Sequence, residues 1–175
     1  MNVCLMSIKP KWAKELYCGK KTVEFRKSSP AVGSLVFLYE STPVRAVTGV
    51  FIVSAILSSR AAHVWYAAKA LKCVWKSGTV KRDDLFDYAG GANGNCCAIL
   101  AEDPWRFPEE QWPKLEKYAV RPPQSWQALR ANHFGENALV GIFQSYTVTL
   151  DGTYHFVDGS ILANDSSFEF CRHAL

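Results

Sequence analysis

The chain has 175 residues, of which 49% are hydrophobic and 21% charged, and its formal net charge is +4. That balance suits a globular chain able to bury a core without disulfides or metal, and it excludes a disordered one. It is less basic than a dedicated duplex-binding surface demands, and no apolar run approaches the roughly 20 residues of a membrane helix.

The chain order predicts an α+β architecture. Val3–Ile8 forms a first strand around a short apolar run. Pro10 then opens a helix, where a missing N–H costs nothing. Trp12, Ala13, Leu16 and Tyr17 recur at helical spacing, and Gly19 stands where a left-handed cap is wanted. The segment 22–26 is extended, Gly33 turns, Leu35–Tyr39 is a buried strand, and Pro43 breaks it. Val44–Leu57 reads as a long strand with a bulge or bend at Gly49. From about residue 60 to 76 the period becomes helical, with Val64, Trp65, Ala68, Leu71, Lys72 and Trp75 on one face and Gly78 as the stop. Thr79 is a candidate N-cap for a second helix carrying Leu85, Phe86 and Tyr88. The glycine-rich 90–95 segment is the most flexible, and Cys96–Glu102 is an apolar strand. Pro104 and Pro108 bracket an irregular stretch, and 109–118 contains a helical turn. After the extended Pro122-Pro123, Ser125 caps a short helix Trp126–Asn132. Asp151-Gly152 between alternating segments marks a β-hairpin within an extension over 135–175. With neither repeat nor linker, residues 1–175 are expected to form one domain.

The six cysteines (Cys4, Cys18, Cys73, Cys96, Cys97, Cys171) include no Cys-x-x-Cys pair. Because the N-terminus has no charged and apolar leader pattern, the expected location is cytoplasmic and the thiols are expected to be reduced, buried apolar groups. Cys96 and Cys97 should point to opposite sides of their strand. The four histidines (His63, His133, His155, His173) are possible ligands, but without a Cys-x-x-Cys pair no metal and no cofactor is expected.

Charge is concentrated at the N-terminus. Lys9, Lys11, Lys14, Lys20, Lys21, Arg26 and Lys27 face only Glu15 and Glu24 within the first 27 residues. Lys11 and Lys14 fit a solvated helix face. Lys21, Glu24 and Arg26 lie at a helix-to-strand corner suited to an anionic or planar polar ligand. Val23 and Phe25 should share the face of Lys21 if the segment is extended. Arg26 presents a planar fork for phosphate or a base edge, or pairs with Glu24 on its own face.

Gly19, Lys21, Glu24 and Arg26 match the pattern Gly-x-Lys-x-x-Glu-x-Arg, and with it the chain resembles the ASCH domain, a branch of the PUA-like superfamily. Two further blocks resemble family features: 38–44 leading into 47–49, and 121–126. The resemblance covers about 3–130 and implies a small open PUA-like β-barrel with two or three inserted helices, to which the C-terminal hairpin is an addition.

Such folds host both binding modules and enzymes. The favoured expectation is a module that binds RNA, single-stranded nucleic acid, a nucleotide or a modified base. Lys9, Lys21, Arg26, Tyr39 and Ser41 would line its cleft, Glu24 would discriminate polar edges, and Trp126 or Tyr39 would stack on a base. Trp126 as a plug of the barrel end is the competing role. The alternative function is a hydrolase acting on a nucleoside amide or on RNA, centred on Lys21 with Glu24 as acid or base. Some superfamily members are amidohydrolases of acylated cytidine, in which a lysine matching Lys21 works with a threonine three residues later and an acid on a later strand. Here Glu24 takes the threonine position, Thr22 is off spacing, and Glu40 and Glu102 are the candidate acids. A third possibility is a protein partner held by the C-terminal hairpin.

Overall fold

The computed structural model describes residues 2–71, 80–130, 146–148 and 154–156, and its framework is a mixed six-stranded sheet. The strands are β1 (Val3–Ile8), β2 (Val23–Arg26), β3 (Leu35–Glu40), β4 (Ala46–Arg60), β5 (Asn95–Arg106) and β6 (Trp126–Ala128), in the order β2-β5-β4-β3-β1-β6. β1 and β3 run parallel and the other neighbours antiparallel. β2 and β6 are the two edges, yet Arg26 at the end of β2 reaches the Ser7 carbonyl on β1, and Trp126 on β6 reaches Ser28 just past β2. The sheet therefore curls into a half-barrel whose seam is bridged by side chains rather than by a backbone ladder.

Period-2 alternation sorts the core onto two faces. On β3, Leu35, Phe37 and Tyr39 join Leu5, Val47, Trp105, Phe107 and Leu115 on one face. Val36 and Leu38 face the other way, with Met6, Phe51 and Ile99, and are covered by α1 (Pro10–Tyr17) through Ala13 and Leu16. Helices α2 (Ala61–Ala70) and α3 (Arg82–Ala89) pack on Val23, Phe25, Cys96 and Ala98. Cys96 and Cys97 do point to opposite sides, and burial pushes the Cys96 thiol up to about 11, aided by Cys97. Cys18 is exposed, contrary to expectation, because it caps the solvent end of α1.

Gly19 takes the left-handed conformation foreseen for it, at φ +64°. The glycine-rich turn after α3 is tied down: the carbonyls of Gly94 and Ala92 accept the N–H groups of Ala61 and Ala62 at 2.8 and 2.9 Å. It thereby satisfies two donors that the start of α2 leaves open. The expected helix at 126–132 is replaced over Trp126–Ala128 by an edge strand. The free edge of β1 offers it a complete set of partners, with Ser7 N donating to Ser125 O and Leu129 N to Val3 O, both at 2.9 Å. β5 runs through the stretch expected to be irregular, accommodating Pro104 by a positive φ of 45° at Asp103. α3 starts at Arg82 after Lys81 rather than behind Thr79, which lies, like Trp75 and Gly78, outside the described residues. Short 3₁₀ turns span Glu109–Gln111 and Leu115–Tyr118. β7 (Tyr146–Val148) pairs antiparallel with β8 (Tyr154–Phe156), as the hairpin signal requires; its Asp151-Gly152 turn lies outside the described residues. Among the described residues, no helix is long and apolar enough to cross a membrane.

Candidate nucleic-acid interface

The corner between α1 and β2 brings Lys21, Glu24 and Arg26 into direct contact. The Gly19 turn reverses the chain, and Lys21 is held by its N–H to the Glu15 carbonyl at 3.0 Å. β2 then alternates, sending Val23 and Phe25 to the α2 side and Glu24 and Arg26 toward α1. Lys21 precedes the strand and is not bound by its alternation. Its ammonium sits on the Glu24 side, opposite to the face expected from Val23 and Phe25.

Lys21 Nζ donates to Glu24 Oε2, and Arg26 Nη2 lies 3.0 Å from Glu24 Oε1. The side chains of Lys21, Glu24 and Arg26 are 3%, 4% and 14% exposed. Burial alone would raise the Glu24 carboxyl, but the charges of Lys21 and Arg26 outweigh it and hold Glu24 below the ordinary carboxylate range. The triad thus carries one net positive charge in a nearly dry setting. Arg26 Nη2 also donates to the Ser7 carbonyl at 2.6 Å, while its Nε has no hydrogen-bond partner among the described residues.

An aromatic ring borders the triad. The Trp12 ring has Lys21 Nζ 5.0 Å from its centroid and Lys11 Nζ at 4.2 Å. Trp12 packs partly buried against the α1-side core and Lys11 is exposed, as expected of a solvated helix face, and both also border this cationic corner. Across the seam, Trp126 is half-buried against the α1-side core and donates from Nε1 to Ser28 Oγ at 3.0 Å. Ser7 Oγ donates to the Pro123 carbonyl at 2.5 Å, fixing the Pro-Pro segment that delivers Trp126.

Of the other expected lining residues, Tyr39 lies elsewhere. Tyr39 is 7% exposed within the apolar cluster on the opposite face, because alternation groups it with Leu35 and Phe37. It takes no part in this cleft. Ser41 serves the β3–β4 turn, its N–H donating to Ile8 O and its carbonyl accepting from Val44 N. Lys9 is exposed at the N-cap position of α1. Of the candidate acids, Glu102 is exposed. Glu40 is 2% exposed and accepts from Thr48 Oγ1 at 2.7 Å, with Arg106 Nη2 3.7 Å away. The acid that meets Lys21 is Glu24. Among the described residues, no group of three or more His, Cys, Asp or Glu could hold a metal ion.

The curled six-stranded half-barrel with its helices matches the α+β barrel of PUA-like domains. Within that class, the ASCH domain model matches residues 6–127, and the chain belongs to the ASCH domain family. Solved structures agree. A tyrosine-to-phenylalanine variant of ASCH from Zymomonas mobilis superposes with a TM-score of 0.61 at 25% identity, covering 81% of this chain and 98% of that one. The ASCH structure from the same organism gives 0.59 at 26% identity, covering 79% and 94%. A curated Zymomonas mobilis protein named an ASCH domain-containing ribonuclease is 35% identical over 63 residues, or 35% of this chain. That alignment spans 43% of the relative's length.

Proposed function

We propose that this chain binds single-stranded RNA at the seam of the half-barrel. The observation that carries the proposal is the nearly buried Lys21–Glu24–Arg26 triad, which leaves one uncompensated positive charge beside the Trp12 ring. Lys21 and Arg26 carry the cationic groups that suit a phosphate. Trp12 and Trp126 offer ring faces to splayed bases, and Glu24 accepts from an exocyclic amine. The ribonuclease name of the Zymomonas relative supports RNA over a free nucleotide.

A second reading, cleavage of the bound strand, is favoured by the direct hydrogen bond between Lys21 and Glu24. Here the 2′-hydroxyl attacks the adjacent phosphorus and Glu24 takes its proton. Lys21 protonates the departing 5′-oxygen, and Arg26 balances the charge that builds on the phosphorane. The products are a 2′,3′-cyclic phosphate and a 5′-hydroxyl end. An amide-hydrolysing role on acylated cytidine is less well supported, since Glu24 replaces the threonine of that arrangement.

One experiment separates these outcomes. Labelled RNA, the matching single-stranded DNA and acylated cytidine are incubated with wild type and Lys21→Met, with binding followed from low to high salt and products analysed. Intact RNA bound with a steep salt dependence supports the binding module. Cyclic-phosphate ends that vanish in Lys21→Met support cleavage. Failure to bind RNA at low salt contradicts both.

A further inference from the structure

A second polar group lies on the other flank of α1, built from four elements. Glu40 closes β3, Thr48 lies on β4, Arg106 ends β5 and Tyr17 ends α1. Its hydrogen-bond directions are determined by donor supply. Thr48 Oγ1 donates its single hydrogen to Glu40 Oε1 at 2.7 Å, so the 2.9 Å contact with Tyr17 runs from the phenol to Thr48. Burial, first of all, pushes the Tyr17 phenol far above its usual value, which keeps it a donor.

The backbone is shaped for this chain. Leu38 pairs with Gly49 and Tyr39 with Val47, so Thr48 is the extra residue of a β-bulge, aimed out of strand alternation. Gly49 beside it has no room for a side chain: a Cβ there would collide with the Trp105 carbonyl and lie 2.6 Å from Tyr17 Oη.

Arg106 is the exposed end of this group. Its guanidinium lies 4.9 Å from the Trp112 ring centroid and 5.9 Å from that of Tyr17, with Glu40 behind it at 3.7 Å. Its side chain is nevertheless 43% exposed, whereas that of Glu40 is 3% exposed. A buried carboxylate backing a half-exposed, ring-clamped guanidinium adds little stability for its desolvation. It does hold a planar cation in one orientation with its outer edge free, which is what a phosphate needs. Trp112, itself held by Nε1 donating to the Phe107 carbonyl at 2.9 Å, also borders a surface groove of about 370 Å³ with Pro43, Val44, Ala46, Glu109 and Lys114. A base next to that phosphate can lodge there.

We propose that Arg106, with Trp112, is a second phosphate-and-base contact on the RNA track, so that the ligand is an oligonucleotide rather than a single nucleotide. The proposal rests on the RNA-binding role of the seam. Trp12, beside Lys21, and Tyr17, beside Arg106, are separated by roughly 7–8 Å of rise along α1 and lie on different flanks of it. A strand crossing α1 would meet both cations.

The test measures fluorescence anisotropy with a labelled mononucleotide and a labelled octanucleotide RNA, across salt. Wild type is compared with Arg106→Ala, Arg106→Lys and the surface control Arg82→Ala. Arg106→Ala is expected to weaken the octanucleotide roughly tenfold or more, to flatten its log–log salt slope by about 0.7, and to leave the mononucleotide unchanged. Arg106→Lys, which keeps the charge but loses the planar stack, should retain the slope and lose affinity; it decides the matter if the alanine variant does not fold. Equal losses for both lengths, or none for either, overturn the proposal while leaving the seam intact. Wild type that binds neither RNA at low salt overturns the seam reading itself, and this proposal with it.

Discussion

Replacing Glu24 by Gln leaves two cations facing one neutral amide in a site from which water is nearly excluded. Lys21 is 3% exposed and Arg26 14%, so solvent screens the former little. Breaking a buried pair by removing one partner typically costs about 3–5 kcal/mol. For a chain of 175 residues, with roughly 2–4 °C per kcal/mol, Glu24→Gln should lower Tm by about 6–20 °C. Lys21→Met costs less, because Glu24 retains Arg26. The double variant Lys21→Met/Glu24→Leu removes both charges of the pair in similar volume and should be more stable than Glu24→Gln alone. Urea unfolding of the wild type, Lys21→Met, Glu24→Leu and the double variant forms a cycle, with an expected coupling above about 1.5 kcal/mol. Single-variant effects that add to within about 0.5 kcal/mol would refute the pairing, and with it the charge balance assigned to the site.

Arg26→Ala should weaken RNA binding by roughly ten- to hundredfold while Lys14→Ala, on the exposed side of α1, changes it little; anisotropy titrations compare them. Arg26 also ties β2 to the Ser7 carbonyl, so Arg26→Ala should melt below Lys14→Ala in a thermal scan. Because Glu24 titrates below its unfolded-state value of about 4.3, its contribution to stability is complete above that pH and is lost as pH falls further through the native value. Urea midpoints between pH 6 and pH 3, on the order of the usual carboxylate range, should therefore fall more in the wild type than in Glu24→Gln. Gly49→Ala should destabilise by at least about 1–3 kcal/mol, since the new methyl meets the Trp105 carbonyl and Tyr17; an unchanged Tm would disprove the close approach.

The corner was legible because its logic is local. Glu24 and Arg26 share a face through the two-residue period of a strand, and Gly19 turns the chain where a left-handed residue is needed. Three features were not legible, each for a reason of tertiary geometry. Tyr39 seemed to end a strand at the cleft, but its face depends on the parity of β3, which places Glu40 toward α1 instead. Thr48 and Arg106 reach the α1 flank only because a bulge shifts the register beside Thr48 and Asp103 takes a positive φ, and neither can be read from residue alternation. Trp126 sits on a strand rather than a helix because the edge of β1, more than a hundred residues away in the chain, was free to pair. Long-range pairing overrode a local cap.

The most direct test of the account is where RNA touches the protein. A single-stranded RNA carrying 4-thiouridine, photo-crosslinked at low salt and mapped by mass spectrometry, should label the peptides that contain Trp12 and Trp126, and Lys21→Met/Arg26→Ala should abolish the labelling. Crosslinks confined to the α2–α3 surface, where Tyr66 and Tyr88 are exposed, would contradict it.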